Sequence, residues 1–475
     1  MCLSPLLAAP PAPRDVGLEP VLLLAPGVVA HADRARLILH PPRKTGERLL
    51  ESSLPWENAT LNWFSILREG DRFRLWYECY DVAGWPTSDD TSFCYAESTD
   101  GIHWTRPQLG LTDYQGDTAN NILFRQIGKN AHRSRVHGTC VFLDPAAPPE
   151  ERYKAVSQGQ FQGLGDRPYY IAGMTSPDGL RWQRLPKPIG DDFADSQYSG
   201  FRDPASGQYW LYGRASGRGG RAVGRAHTPS FTRFDSLAND VCLQAHAEEP
   251  PGQDHYTPAC QLCPLVPGLV LAFPSLFQHQ ADTLDIRLAV AHPTGEFLWP
   301  ERDAPFIPLG APGDWDGGSL YFGNGGCLPI GAGEEWAFYY SASRLKHGEV
   351  ELENLRDPKN RRVITRAVAP AGRLAGYRAE DDVGQLRTVS LQSRGRRLQL
   401  NARVTAGGEI RVALLRPDGS PIPGRATTDC TPITGDSRKA PVTWTTGSDL
   451  LALEGLIVHF ELRQADLFSL QFAGE

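Results

Sequence analysis

Four carboxylic acids recur at equivalent places in this chain of 475 residues, each a few positions ahead of a run that alternates between apolar and polar residues. They are Glu57, Asp195, Asp254 and Asp316. Two carboxyl groups that converge on one site can act as general acid and general base, or as acid and nucleophile. A third can stabilise a positive charge that develops during the reaction. Aromatic residues with faces on which a ring could stack accompany three of the acids: Trp56, Tyr256 and Trp315.

Polar and cationic residues lie close to the same positions. They are Asn62, Arg135, His137, Arg214, Arg218 and Arg221. Several guanidinium groups near one site suit a carboxylated or sulfated substrate, because arginine binds such groups in bidentate fashion. The alternative is that these arginines pair with neighbouring acids. Four acidic residues lie in loops that return to the same face: Glu78, Asp81, Asp89 and Asp90.

The stretch from Trp63 to Trp104 indicates which elements carry these residues. It reads WFSILREGDRFRLWYECYD, then a polar loop, then SFCYAESTDGIHW. Alternation with a period of two, broken at Gly70-Asp71 and Asp100-Gly101, is typical of antiparallel strands joined by tight turns. The stretch is therefore predicted to form an antiparallel sheet of three or four strands.

The same pattern returns along the chain. Equivalent runs begin at 63, 137, 199, 257 and 320, in steps of roughly sixty residues. The outer turn also returns, as SPDGLRW at Ser176–Trp182 and more loosely at 228–234 and 292–299. Five repeats of one small sheet favour a five-bladed β-propeller over a long sandwich. In a propeller the innermost strands begin around one mouth of the central channel, so the acids and aromatic residues would meet there.

Domain boundaries follow from changes in the pattern. Residues 1–19 are rich in Pro and Ala and are predicted to be loose, 20–365 form the all-β propeller, and 366–475 form a β-sandwich. One of the runs Pro20–Ala30 and Arg34–Pro42 is predicted to complete the last blade and close the ring, which would remove exposed sheet edges. The charged stretch Lys346–Arg362 is interpreted as a linker or as the last outer strand.

Composition narrows the choice of partners and compartment. The formal net charge of −7 argues against a nucleic-acid partner, and no apolar run reaches the roughly 18 residues that a membrane span needs. Cys260 and Cys263 form the one close pair among nine cysteines, and buried free thiols are favoured over a metal site. Free thiols favour the cytoplasm, with a secreted or periplasmic protein as the alternative if the natural start lies upstream. The oligomeric state is left open.

The repeats and the C-terminal unit together resemble a known class. S-x-D-G-x-x-W turns in the blades precede a sandwich that reads G-x-I-x-V-x-L-x-x-x-D-G-x-P-I-x-G from Gly408 and ends in ADLFSLQF from Ala465. Over residues 20–475 the chain is similar to the five-bladed glycoside hydrolases of the invertase, levanase and arabinanase types. The resemblance implies hydrolysis or transfer of a sugar at the propeller mouth by acids from different blades. It implies no cofactor beyond a structural cation in the channel, for which His137 is the candidate ligand.

Glycosidic cleavage requires one carboxyl group that protonates the leaving oxygen and another that acts as nucleophile or activates water. On this basis Asp195 is predicted to be nucleophile, base or charge stabiliser. Glu57 or Asp254 is its predicted acid or base partner, and Asp316 is held in reserve. The substrate would be a plant, algal or microbial glycan. Two alternatives stay open: a non-catalytic carbohydrate-binding protein and a glycoside phosphorylase.

One further motif is ambiguous. Arg202-Asp203-Pro204 matches an invertase-type motif that carries a charge-stabilising acid, yet Asp203 aligns with Asp144 of the preceding repeat, and both stand at a hairpin turn. Asp-Pro is an ordinary turn former, so the turn role is favoured. The first repeat lacks an Asn-Asp-Pro motif, and no Glu-Cys pair is taken to supply the acid. Because of these departures, neither the glycosidic linkage that is cleaved nor the catalytic role of each acid is assigned.

Overall fold

The computed structural model describes residues 12–81, 91–125, 134–161, 164, 169–192, 195–246, 252–450 and 455–474. The chain is an all-β protein, a five-bladed β-propeller followed by a β-sandwich, as the alternation predicted. Within these ranges the helical elements are short: the α-helix Leu352–Arg356 and the 3-10 turns Pro55–Glu57, Pro149–Glu151, Leu237–Asn239, Pro358–Asn360 and Thr427–Asp429. None of the helices in the described part of the chain has the length and hydropathy of a membrane span.

Blades 1 to 3 each contain four antiparallel strands, and the first strands of successive blades contact one another around the central channel. The strands are Thr60–Glu69, Arg72–Tyr80, Thr91–Ser98 and Ile122–Arg125 in blade 1; Ser134–Leu143, Tyr153–Gly159, Tyr170–Ser176 and Gln183–Arg184 in blade 2; and Ser199–Arg202, Tyr209–Gly217, Gly220–Thr228 and Val241–Leu243 in blade 3.

Blade 4 is built from strands that are each broken in two. Pro274 lies in the break of the second strand, where its missing N–H interrupts the ladder. The segments are Gln253–His255 with Cys260–Leu262, Val270–Ala272 with Ser275–Gln278, and Thr283–Ile286 with Ala289–Ala291.

Blade 5 is completed by the N-terminal part of the chain. Its strands Ser319–Ile330, Glu335–Ser343 and Val363–Pro370 are followed by Arg43–Lys44 and Leu50–Glu51, which pair with Val363–Pro370. The prediction that an N-terminal segment closes the ring is therefore right in kind, but the assignment to Pro20–Ala30 or Arg34–Pro42 is wrong.

Those two earlier runs belong to the sandwich sheet. Val29–Asp33 pairs with Gly384–Thr388, and Arg36–Leu39 pairs with Ala375–Ala379. The physical reason is burial: the apolar side chains around these strands, such as Leu39, enter the sandwich core. Residues 43–51 are mostly polar, which suits the outer strand of a blade, and Leu50 is buried in the core beneath it.

Two long strands of the sandwich, Arg397–Leu415 and Ile457–Ala473, pair along most of their length. Both bend at the same level, where Gln464 has a φ of 48° and the register shifts between Val404 and Glu409. The bend folds one curled sheet into two layers. The remaining strands of this sheet are Val21–Leu22, Val29–Asp33, Arg36–Leu39, Ala375–Ala379, Gly384–Thr388 and Asp436–Pro441. Arg14–Asp15 and Leu391–Gln392 form a separate parallel pair.

The recurring S-x-D-G turn has one geometry in blades 1 and 2. Ser98 Oγ accepts the Gly101 N–H at 2.9 Å, and Asp100 Oδ1 accepts the His103 N–H at 2.8 Å. The turn that begins at Ser176 repeats both bonds at the same distances. Partial burial opposes ionisation of Asp100, but hydrogen bonds from His103 and Ile102 lower its pKa below the ordinary value.

Each of these turns docks on the second strand of the preceding blade. Trp76 of blade 1 donates its indole N–H to the Gly179 carbonyl of blade 2 at 2.6 Å, and Tyr339 of blade 5 donates its hydroxyl to the Gly101 carbonyl of blade 1 at 3.1 Å. Both glycines have a φ of 72°, which favours glycine, and a Cβ at either would press on the docking side chain. The S-x-D-G turn found in the sequence thus connects each of these blades to the preceding one.

The stretch 346–362 is neither a linker nor an outer strand. It connects the second and third strands of blade 5 and contains the helix Leu352–Arg356. Several of its residues reach the propeller mouth, because strands two and three are joined at that end of the blade.

Candidate functional site

A cavity of about 460 Å³ lies at the mouth of the propeller, where the first strands begin. Side chains from all five blades line it, which agrees with the placement predicted from the repeat. They include Asn62, Trp63, Tyr80 and Thr91 of blade 1, His137 of blade 2, Asp195, Arg214 and Arg221 of blade 3, Tyr256 of blade 4, and Tyr321, Lys346, His347, Glu349 and Arg362 of blade 5.

Asp195 presents a solvent-exposed carboxylate to this cavity. Its side chain is 62% exposed, and Oδ1 lies 2.7 Å from Nε2 of His137. Arg214 donates to the Asp195 backbone carbonyl at 3.3 Å, and the adjacent Ser196 hydroxyl donates to the Tyr256 carbonyl at 2.9 Å. Blades 2, 3 and 4 therefore hold the segment that carries Asp195.

Close approach of two blades brings His137 and Asp195 together. Gly138 has a φ of 65°, and a Cβ there would overlap the carbonyl oxygen of Ser196. The Tyr198 N–H donates to the Gly138 carbonyl at 2.9 Å across the same contact. Only glycine allows the backbones to approach in this way, so this position controls the contact between the imidazole and the carboxylate.

The second ring nitrogen of His137, Nδ1, is contacted by residues of blade 1. Nδ1 of His137 lies 2.9 Å from the Tyr80 hydroxyl and 3.7 Å from Oε1 of Glu78. Glu78 is fully buried and accepts the Asn62 amide at 2.6 Å and the Gly138 N–H at 2.9 Å. Contacts at both ring nitrogens fix the orientation of His137, which in turn positions Asp195.

Two carboxylates line the cavity among the residues that the structure describes, Asp195 and Glu349. Glu349 is half-buried, and its Oε2 accepts the Lys346 N–H at 3.0 Å. Glu78 is a third acid close by, but it is separated from the cavity by His137. Carboxylates from blades 3 and 5 thus line the same cavity.

The aromatic side chains at the mouth form a packed cluster. Trp63 is only 5% exposed and contacts the Tyr321 ring edge-on at a centroid distance of 4.9 Å. Tyr256 contacts both rings, and burial, followed by the nearby Tyr321, raises its pKa. Burial, together with the charge of Arg221, lowers the pKa of His347. These rings form one side of the cavity lining.

Glu57 does not reach the mouth, although its sequence position suggested it. Its side chain is fully buried, and Arg106 donates to Oε1 at 2.9 Å and to Oε2 at 3.0 Å. The Tyr77 hydroxyl and the Ser53 N–H donate to the same carboxylate. With its oxygens occupied inside blade 1, Glu57 stabilises the structure and does not line the cavity.

Asp254 and Asp316 are also buried away from the cavity lining. Asp254 is 1% exposed, and its Oδ2 pairs with Arg221 at 3.1 Å and His279 at 3.0 Å, so it holds Arg221 from behind. Asp316 is 6% exposed and pairs with Lys44 at 2.9 Å, which ties blade 5 to its closing strand. Asp254 lies within the strand segment Gln253–His255 and Asp316 precedes the strand Ser319–Ile330, but neither side chain is among those that line the cavity.

The two predicted stacking tryptophans belong to the framework. Trp56 donates its indole N–H to Asn121 at 3.0 Å and packs in blade 1, and Trp315 packs against the large core beneath the Arg48 guanidinium. Of the predicted set, the cavity brings together Asn62, His137, Asp195, Arg214, Arg221 and Tyr256, whereas Arg218 is not among the residues that line it. The side chain of Arg135, and Asp89 and Asp90, lie outside the described residues.

Several lining residues were missed from the sequence. Tyr80 ends the second strand of blade 1 near the mouth, and Arg214 lies in the last half of the second strand of blade 3, so the same positional rule would have found Tyr80. Lys346, His347 and Glu349 were hidden in the stretch taken for a linker. Arg362 carries no local signal, because its role depends on how the third strand of blade 5 begins.

The Asp-Pro pairs form hairpin turns, as favoured above. Asp203 accepts the Ala205 N–H at 3.2 Å and the Ser206 N–H at 3.1 Å, and Asp144 accepts the Ala146 N–H at 3.0 Å. The described cysteines are free thiols, and all but the half-buried Cys242 are buried. Within the described part of the chain, no three His, Cys, Asp or Glu side chains are grouped as metal ligands would be.

No protein-family model and no curated protein matches the chain. Solved structures do match. A glycoside hydrolase shares 14% identity over 70% of this chain and 94% of its own, with a TM-score of 0.47. A thermostable family-43 glycoside hydrolase shares 12% over 68% and 91%, with a TM-score of 0.43. An N-acetylgalactosamine deacetylase from F. plautii, in complex with blood group B trisaccharide, shares 13% over 71% and 96%, with a TM-score of 0.47. At these values the matches carry no conclusion about the reaction of this chain.

Proposed function

We propose that the protein is a glycoside hydrolase that cleaves its substrate in the mouth cavity. The observation that carries this proposal is the exposed carboxylate of Asp195, held 2.7 Å from His137 in a cavity that a second carboxylate, Glu349, also lines. The cavity of about 460 Å³ lies within the size range of roughly 300–1,000 Å³ that is usual for small-ligand sites.

The chemistry needs two carboxyl groups in complementary roles. One protonates the glycosidic oxygen, and the other attacks the anomeric carbon or activates water. Asp195 takes one of these roles and Glu349 is the candidate for the other. His137 acts as a positioning residue, because Tyr80 and Glu78 fix its ring from the side opposite Asp195.

The test compares sugar release by the wild type and by Asp195→Asn from neutral, uronic and sulfated glycans. We expect the substitution to lower kcat by about 10²–10⁴-fold, the usual contribution of a general acid or base. Asp303→Asn is the matched control, because Asp303 is exposed and does not line the cavity. Glu349→Gln is measured in parallel to assign the partner.

Each outcome separates the candidates. Unchanged release by Asp195→Asn would remove Asp195 from the site. Binding of a glycan without release by the wild type would favour a carbohydrate-binding protein. Release that depends on added inorganic phosphate, with a sugar phosphate as product, would favour a phosphorylase.

A further inference from the structure

The mouth cavity has a charge opposite to that of the whole protein. The chain carries a formal net charge of −7. Yet the described residues that line the cavity include four cationic side chains, Arg214, Arg221, Lys346 and Arg362, against the carboxylates of Asp195 and Glu349. Such a local excess attracts an anionic ligand.

The arginines differ in whether a carboxylate neutralises them. Arg221 pairs with Asp254, and its Nη1 lies 3.1 Å from Oδ2. Within the described part of the chain, Arg214 donates to the backbone carbonyl of Asp195 at 3.3 Å, and Arg362 donates to the neutral Asn62 amide at 2.8 Å. Among the residues that the structure describes, no acid forms an ion pair with either of these two guanidinium groups.

Hydrogen-bond donors without acceptors accompany this charge. Nε of Arg362 is buried and has no partner within the described residues. The indole Nε1 of Trp63, a side chain that lines the cavity and is 5% exposed, likewise has none there. Buried donors are normally satisfied, and these groups can only donate. An acceptor-only group, a carboxylate or a sulfate ester, complements a lining rich in cationic donors better than a hydroxyl does.

The arrangement also places the anionic group relative to the reaction. Arg214 contacts the backbone of Asp195, while Arg362 stacks over the Tyr321 ring at 4.6 Å and holds Asn62, which itself supports Glu78. We propose that the mouth cavity binds a sugar that carries a carboxylate or a sulfate ester, and that Arg214 and Arg362 bind this anionic group. The inference rests on the proposed function and names the substrate class.

Binding is measured by calorimetry or NMR titration on the Asp195→Asn protein, so that turnover does not interfere. The probes are glucuronate and galacturonate, their neutral counterparts glucose and galactose, glucose 6-sulfate, and inorganic sulfate, which requires no particular sugar ring. We expect at least one acidic probe to bind about tenfold or more tightly than its neutral counterpart, with an affinity that falls as salt rises.

Variants show whether the two arginines are responsible. Arg214→Gln and Arg362→Gln should each remove most of the preference for the acidic probe, and Arg214→Lys should retain part of it. Arg181→Gln is the control, because Arg181 is exposed on the outer turn of blade 2 and pairs with Asp178. If Arg362→Gln fails to fold, the two Arg214 variants suffice.

Equal binding of acidic and neutral probes, with no response to inorganic sulfate, would overturn the inference. So would a preference that survives Arg214→Gln. The two proposals fail in different ways. Cleavage of a neutral glycan that depends on Asp195, with no acidic preference, would refute the inference and leave the hydrolase intact. A preference for acidic probes that depends on Arg214, in a protein that cleaves no glycan, would refute the hydrolase and leave the inference of an anionic ligand intact.

Discussion

Substitution of Gly101 by alanine tests the joint between blades 5 and 1. Gly101 has a φ of 72°, and a left-handed backbone costs a non-glycine residue roughly 1–2 kcal/mol. The added Cβ would also overlap the Tyr339 hydroxyl, in a packed region where overfilling costs about 1–3 kcal/mol. We therefore expect Gly101→Ala to lower the free energy of unfolding by about 2–5 kcal/mol.

A matched glycine separates the two contributions. Gly70 stands in the first hairpin of blade 1 with a φ of 61°, and a Cβ there would have no atom within 4 Å. Gly70→Ala should thus cost only the backbone term, about 1–2 kcal/mol. Tyr339→Phe removes the overlapping oxygen. In the double variant with Gly101→Ala, part of the lost stability should return, whereas independent effects would simply add.

The assay is urea denaturation of the four variants, with midpoints compared at unchanged slope. The reasoning would be refuted if Gly101→Ala cost no more than Gly70→Ala, or if Tyr339→Phe gave the double variant no recovery. Either result would mean that the recurring S-x-D-G turn is an isolated loop and does not join the blades.

Two further predictions concern titration. Burial, opposed by Asp466 and assisted by Arg403, lowers the pKa of His40 from 6.5 to about 4, so on acidification the unfolded chain takes up the proton first. The free energy of unfolding should therefore have its full value above about pH 6.5 and fall towards pH 4 by at most about 2–3 kcal/mol, because solvent screening reduces the effect for this partly exposed ring. Urea denaturation should show that slope, and His40→Gln should flatten it. Burial also raises the pKa of the thiols of Cys79 and Cys94, whose Sγ atoms lie 3.5 Å apart. Mass spectrometry should find neither alkylated by iodoacetamide at pH 8 in the native protein and both alkylated after unfolding, whereas native labelling would contradict the packing.

The architecture could be predicted from the sequence because each blade repeats its own turns. The alternation around Trp63–Trp104 identifies local strands, and local pairing needs no knowledge of the rest of the chain. Ring closure by residues 43–51 was assigned to the wrong segment for the opposite reason. The partner of Lys44 is Ala367, and nothing near Lys44 specifies a contact so distant in the chain.

Residues of the candidate site could be predicted from the sequence only where the position of a residue along its strand determines whether its side chain reaches the mouth cavity. Asn62, His137, Asp195 and Tyr256 were found because they stand where first strands begin. Glu57 occupies such a position too, but the side chain turns inward to Arg106, and this choice depends on the packing of blade 1. The lining residues of 346–362 depend on the course of a loop, which alternation does not encode.

The order in which the N-terminal segments are used bears on how the chain folds during synthesis. Residues 29–39 pair with strands between 375 and 388, and residues 43–51 pair with 363–370. Both segments leave the ribosome long before their partners exist, while blades 1 to 4 can form behind them. A nascent chain shorter than about 370 residues therefore holds an open ring with an unpaired edge at each end. Such long-range pairing is slow and exposes edges to aggregation, so closure is the step at which this protein would most need a chaperone.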